Sequence, residues 1–231
     1  MTIPVEPTVL AAMPLFKGLA PSELSRITQA LHRRNAPAGV GLFSVDQPGE
    51  VVYIIQSGTV KVHVEQGDGD DVTLAILGPG QTVGEMAAAD SLTRSATVVT
   101  LEPSVLLWTN RVTFQHWLRT YPQIALNLVR ILSRRLRVAN AHIQSLASLD
   151  VYGRVARQLL VLCEEYGVPD SQGGARIPLR LTQTDLAELV GASRVRINQV
   201  IGDYKELGYI AVSREHYVTV RDRAALAARC E

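Results

Sequence analysis

From Gly39 to Asn110 short apolar runs alternate with turn residues, the pattern of many short strands and not of helices. The runs are 51–56, 59–65, 72–77, 96–101 and 105–110. Ser57-Gly58, residues 66–70, Pro79-Gly80, Gly84 and Glu102-Pro103 punctuate them. Near-regular spacing with glycine turns predicts an antiparallel barrel or roll. Upstream, Pro21-Ser22-Glu23-Leu24 reads as a helix start, with Leu24, Ile27 and Leu31 on one face. Downstream the period changes. A helix is expected from Pro122 to about Leu149, where Val129, Leu132, Leu136, Ala139, Ile143 and Leu146 step by alternating threes and fours. That heptad seam asks for a partner helix. The competing reading, a helix lying on its own barrel, asks for a broader stripe. Arg130, Arg134, Arg135 and Arg137 on the other faces favour dimerisation.

Asp150 suits the N-cap of a further helix, 151–166, closed by Gly167; a polar loop at 169–174 and a short strand at 177–181 follow. The next stretch is the most specific. Thr182 with Asp185 makes a capping-box pair, Leu186, Leu189 and Val190 form an apolar face, Gly191 supplies a turn, and Ser193 caps a second helix. That helix carries Ile197, Val200, Ile201, Tyr204 and Leu207 on one side. Val195, Gln199 and Gly202 lie opposite, flanked by Arg194, Arg196 and Asn198. A buried stripe with an outward N-terminal face of base-reading residue types is what a helix inserted in the DNA major groove requires. Arginine pairs with guanine, glutamine and asparagine with adenine, and an apolar side chain packs on a thymine methyl. Runs at 209–212 and 217–220, joined by Ser213-Arg214-Glu215-His216, predict a hairpin wing with a basic tip. The DNA-contact set is therefore Thr182 and Ser193 on phosphates, and Arg194, Val195, Arg196 and Gln199 on the groove face. An acid-free stretch from Gly191 to Ile201 suits it.

Composition narrows the picture. With 231 residues, 47% hydrophobic and 19% charged, the chain can build two ordinary cores. The opening residues lack a basic n-region and no run reaches the roughly 20 apolar residues of a membrane span, so a cytoplasmic protein without membrane partners is expected. Net charge is +1, with 12 basic and 11 acidic residues before Asp150 and 11 of each from there on; DNA binding must rest on local charge placement. The two cysteines, Cys163 and Cys230, stand far apart, against an iron–sulfur cluster or structural zinc. A buried Cys163 and an exposed Cys230 are expected. No nucleophile–base–orienter set points to an enzyme.

Over nearly its whole length the sequence resembles the cAMP receptor protein/fumarate-nitrate regulator family. The pieces are Pro14-Leu15-Phe16-Lys17-Gly18-Leu19, Gly84-Glu85, Arg94-Ser95-Ala96-Thr97, Arg134-Arg135-Leu136, Leu149-Asp150-Val151 and Leu189-Val190-Gly191-Ala192-Ser193-Arg194. The resemblance implies an α+β fold. A jelly-roll-like β-roll sensor spans 1–121, a long dimerisation helix 122–149 and a winged helix-turn-helix 150–231. It also implies a homodimeric regulator of palindromic promoter DNA that meets RNA polymerase, with cAMP as effector and no tightly bound cofactor. Gly84 would let the backbone approach a cyclic phosphate, Arg94 would pair with it, Ser95 would donate to it, and Glu85 would accept a ribose hydroxyl. Met86, Arg135 and Asn140 complete the implied ligand set. The alternatives are a structural loop in which Glu85 and Arg94 bridge each other, making a ligand-independent regulator with a vestigial pocket, or a regulatory subunit of an enzyme or channel. Where cAMP-binding members carry Thr-Ser, this chain has Ala139-Asn140, which leaves base recognition to Asn140. Where many members read Ser-Arg-Glu, this chain has Ser193-Arg194-Val195, and an acceptor for cytosine is lost. Oxygen sensing would need N-terminal cysteines, which are absent. Haem sensing would need an axial ligand, for which His63 is the only candidate and is expected to be a solvated strand residue.

Overall fold

A computed structural model describes residues 6–65, 71–171 and 173–230. They form two compact units, one of residues 6–65 and 74–137, the other of residues 71–73 and 138–230. The turn expected at 66–70 and the first five residues lie outside the described part.

In the first unit, α1 (Pro7–Ala11), a single 3-10 turn at Pro14–Phe16 and α2 (Pro21–Gln29) precede eight strands. These are β1 (His32–Ala36), β2 (Gly41–Phe43), β3 (Val51–Ser57), β4 (Val60–Glu65), β5 (Asp71–Leu77), β6 (Thr82–Val83), β7 (Thr97–Thr100) and β8 (Ser104–Asn110), with α3 (Glu85–Asp90) between β6 and β7. Two four-stranded sheets result, ordered β1-β8-β3-β6 and β2-β7-β4-β5. The expected β-roll is present. Two cores hold it. Ala36, Tyr53, Ile55, Val60, Leu77, Val83, Val98 and Leu106 pack within the roll. Leu10, Leu15, Phe16, Ile27, Ile54, Leu107, Phe114, Trp117, Ile124 and Leu128 join its outer face to the helices.

Asn110 ends β8 and also caps α4 (Arg111–Thr120), accepting from Thr113 N–H at 2.8 Å. Helix α5 (Pro122–Ser148) follows, with the expected extent. Its first half buries Ile124 and Leu128 and rests Ile131 and Leu132 on the unit's own core. Leu132 of the seam thus serves the core of its own chain. Leu136 and Ile143 remain 62% and 64% exposed, and Val129 and Leu146 are exposed too.

Two expectations are corrected here. His63 is buried: β4 buries Val60 and His63, three residues apart, so it does not follow strict in–out alternation. Cys163 is buried as expected, but Cys230 is only half-exposed, its thiol lying 3.4 Å from the Leu226 carbonyl at the end of α9 (Arg223–Ala228).

In the second unit Asp150 caps α6 (Val151–Tyr166) by accepting from Gly153 N–H at 2.8 Å. The strand expected at 177–181 is shorter and earlier. β9 (Val168–Pro169) and β10 (Ala175–Ile177) pair, and β11 (Ile210–Val212) and β12 (Val218–Val220) complete a sheet ordered β11-β12-β10-β9. Helices α7 (Gln183–Val190) and α8 (Arg194–Glu206) stand between β10 and β11. Among the described residues no helix is long and apolar enough to cross a membrane.

Candidate functional site

The first unit holds a pocket lined by residues of β2, β6, α3, β7 and α5. Gly84, Glu85, Met86, Arg94, Ser95 and Arg135 all line it. The β6–α3 turn explains the glycine. Gly84 has φ +82°, and a Cβ there would stand 2.4 Å from Arg94 Nη1 and 2.9 Å from the Val51 carbonyl. Only glycine fits both the left-handed backbone and the approach.

Arg94 is 4% exposed and Glu85 2%. They do not bridge each other, so the structural-loop alternative does not form as expected. Arg94 donates to the Gly84 carbonyl at 2.8 Å and to the Val51 carbonyl at 2.6 Å, and its guanidinium lies 4.1 Å from the centre of the Phe43 ring. Among the described residues no carboxylate forms an ion pair with it. Its Nε is buried without an acceptor. Burial pulls the Arg94 pKa below its ordinary value; Tyr53, Glu85 and Glu50 push the other way from a distance. Glu85 instead meets Arg135 of α5 at 2.7 Å through Oε1, while Oε2 is buried with no hydrogen-bond partner. Arg135 also donates to the Thr82 carbonyl at 2.7 Å and to Gln81 at 3.3 Å. Ser95 and Met86 are exposed at the rim. Asn140 is exposed farther along α5, in the second unit, and is not among the lining residues. The cavity encloses about 80 Å³. Ligand pockets commonly run from about 300 Å³ upward, so this one is small for a nucleotide. Phe43, under the guanidinium, was not singled out by sequence; it ends a three-residue strand with no motif of its own.

The second unit carries the helix-turn-helix. Thr182 Oγ1 accepts from Asp185 N–H at 3.2 Å and donates to its carboxylate at 2.5 Å, and Asp185 accepts from Thr182 N–H at 2.9 Å. The capping box is complete, and the Thr182 hydroxyl proton is spent inside it. Gly191 turns the chain at φ +65°. Ser193 Oγ accepts from Arg196 N–H at 3.3 Å and keeps its own proton free to donate. Leu186, Leu189 and Val190 are buried, as are Ile197, Val200, Ile201 and Tyr204. Leu207, placed on that stripe by sequence, is exposed. It follows the last residue of α8 and lies off the buried side. The outward side bears Val195, 81% exposed, with Arg194, Arg196, Asn198 and Gln199 also exposed. The wing is present as β11 and β12, bearing the exposed tip Arg214, Glu215 and His216. Among the described residues no group of three or more His, Cys, Asp or Glu could hold a metal ion.

Comparison with known proteins matches a domain in each unit. Residues 33–121 match the cyclic nucleotide-binding domain, and residues 153–229 match the Crp-like helix-turn-helix domain. The CRP-like cAMP-activated global transcriptional regulator of Mycobacterium tuberculosis is 34% identical over 221 residues, covering 96% of this chain and 98% of the relative. The cyclic AMP receptor protein of Thermus thermophilus is 33% identical, covering 92% and 94%. Among solved structures, the c-di-GMP responsive global regulator of Xanthomonas campestris superposes with a TM-score of 0.70 at 27% identity, covering 88% of this chain and all of that one. Full-length similarity at this level leaves one assignment: the chain belongs to the CRP family of DNA-binding transcription regulators, which are not enzymes, and joins a cyclic nucleotide-binding domain to a Crp-like helix-turn-helix.

Proposed function

We propose that the protein is a homodimeric transcription regulator that binds palindromic promoter DNA, works with RNA polymerase in the cytoplasm, and is gated by cAMP or a closely related cyclic nucleotide. One observation carries the gating. The pocket sets a buried guanidinium without a carboxylate partner beside a buried carboxylate oxygen without a donor. Leaving such groups unsatisfied costs free energy, and a single ligand carrying an anion and a hydroxyl would satisfy both. A cyclic phosphate on Arg94 and Ser95, with the ribose 2′-hydroxyl on Glu85, has that pair of groups. The Mycobacterium tuberculosis and Thermus thermophilus relatives are named for cAMP and the Xanthomonas campestris neighbour for c-di-GMP, so the nucleotide base is the finer question.

The proposed division of labour is sensor 1–121, dimer helix 122–149 and DNA-binding domain 150–231. Within the last, α8 enters the major groove with Arg194, Val195, Arg196 and Gln199 facing the bases, and Ser193 meets a phosphate. Thr182 acts there through its backbone and its cap, because its hydroxyl proton is taken by Asp185.

A second reading, a ligand-independent regulator, draws on the small cavity and on Arg135, which already occupies Glu85. One experiment separates the two: DNA affinity for a selected palindrome, with and without cAMP or cGMP, alongside calorimetry of each nucleotide. Nucleotide-dependent DNA binding is expected. Equal DNA affinity in all three conditions, with no heat of binding, would establish the second reading instead.

A further inference from the structure

The amide side chains of α8 have the look of adenine readers, because glutamine pairs with adenine by accepting from N6 and donating to N7. Gln199 is already committed. Arg196 Nη1 lies 2.6 Å from Gln199 Oε1. A guanidinium carries donors and no acceptor, so the amide atom turned toward it is the oxygen. Against another amide or a hydroxyl either orientation would serve; against arginine only one does.

Arg196 is itself held in place. Its N–H bonds the Ser193 cap at 3.3 Å, and its guanidinium lies 5.2 Å from the centre of the Tyr152 ring. The Tyr152 hydroxyl donates to Asp203, and its ring meets buried Tyr204 edge-on at 5.9 Å. A line of contacts therefore runs from the core of the domain to the Gln199 oxygen. What Gln199 has left is its NH2 group and one lone pair on an oxygen already turned toward Arg196.

We propose that Arg196 makes Gln199 a donor-only base reader, so that one base pair in each half-site is selected for guanine over adenine. The inference rests on the reading of α8 as the groove helix. Guanine presents two adjacent acceptors, N7 and O6, whereas adenine sets a donor, N6, beside its N7. An amide whose oxygen is turned to Arg196 matches the first edge with its NH2 group, and offers N6 only an oxygen aimed elsewhere. Neighbouring Val195 adds no acceptor, and no acidic residue falls between Gly191 and Ile201. Arg196 is thus a positioning residue for Gln199, and removing it should release the oxygen to the base.

The test is selection from random DNA at one salt concentration, with saturating effector, using wild type, Arg196→Ala, Gln199→Ala and Gln199→Glu. Wild type should favour guanine over adenine by about tenfold at one position per half-site, the scale of one good base contact. Arg196→Ala should reverse that ratio toward adenine, and Gln199→Ala should flatten it. Gln199→Glu keeps a bond to Arg196 and presents its second oxygen, so cytosine should be selected there. Because Arg196→Ala also removes a cation and a packing contact, the wild-type guanine-to-adenine ratio, and its flattening in Gln199→Ala, decide the matter if that variant fails to fold. Adenine in the wild-type site, or an unchanged ratio in folded Arg196→Ala, overturns the inference alone, provided a defined palindrome is still selected; no move to cytosine in Gln199→Glu overturns it by removing position 199 from base contact. Random sequence from the wild type overturns it together with the groove reading.

Discussion

The carboxylate of Glu85 lies 2.7 Å from the guanidinium of Arg135, fifty residues later in the chain, and ties α3 to the long helix α5. This contact fills one oxygen of Glu85 and leaves the other without a partner. A sugar hydroxyl arriving at Glu85 would therefore meet a carboxylate already bound to the helix that carries the seam.

Arg135→Leu removes the partner of a carboxylate that is 2% exposed. Breaking a buried pair by deleting one member costs about 3–5 kcal/mol. Arg135 is itself partly solvated, so the lower end is expected. Urea unfolding should show the loss, and replacing Glu85 by Gln in the same chain should recover part of it. Equal stability of wild type and Arg135→Leu would mean the pair does not hold α3 to α5.

Arg94→Leu should weaken cyclic-nucleotide binding by about 2–3 kcal/mol, the worth of a charge-assisted bond to a buried anion. Gly84→Ala attacks the same contact from the backbone. Its Cβ would collide with Arg94 Nη1 and the Val51 carbonyl while forcing alanine to φ +82°. Calorimetry should find both variants impaired, and circular dichroism should find both folded. Wild-type affinity in Arg94→Leu would remove that residue from the ligand site.

The helix-turn-helix could be read from sequence because its signals are local: Thr182 with Asp185, Gly191 and Ser193 act within three or four residues of themselves. Helix α5 could be read because Val129 to Leu146 repeat one period within its 27 residues. Strand β1 could not. Its sequence, His32-Arg33-Arg34-Asn35-Ala36, is polar, and it is a strand because it pairs with β8 over five residues. Helix α4 was hidden by Asn110, which closes a strand and opens a helix in one residue. In the pocket, Gly84, Glu85, Arg94, Ser95 and Arg135 came from motifs. Who holds whom did not, since Val51 stands 43 residues from Arg94, and Arg135, expected on the ligand, meets Glu85 across 50 residues. Long-range pairing leaves no trace in local periodicity.

Leu136 and Ile143 are 62% and 64% exposed on one face of α5. Burying each against a partner helix is worth on the order of 1.5–3 kcal/mol per side chain. Leu136→Lys with Ile143→Lys would place like charges in that contact, and sedimentation should report monomers with intact secondary structure. A dimer persisting in the double variant would place the interface elsewhere.

Acid should loosen the second unit through His142. Burial first, and then the charge of Arg154, hold the His142 imidazole below its ordinary value of 6.5. Arg154 donates to the Leu149 carbonyl at 3.3 Å and to the Gly191 carbonyl at 3.1 Å, so it joins the end of α5 to the turn between α7 and α8. A histidine whose folded pKa is depressed binds more protons when unfolded, so stability rises with pH across that window. The stabilisation is fully present above 6.5 and is lost as pH falls from there through the lower folded value. Urea unfolding of the second unit, taken stepwise from pH 7.5 to about 5, should therefore give a falling free energy. His142→Gln should flatten that slope, since glutamine does not titrate. Arg154→Ala should raise the His142 pKa toward its ordinary value, because one of the two causes is gone, while weakening the junction by loss of two hydrogen bonds. Titration of the His142 ring resonances reads the pKa directly. A folded-state value at or above 6.5, or the same pH slope in wild type and His142→Gln, would show that His142 does not carry the acid sensitivity.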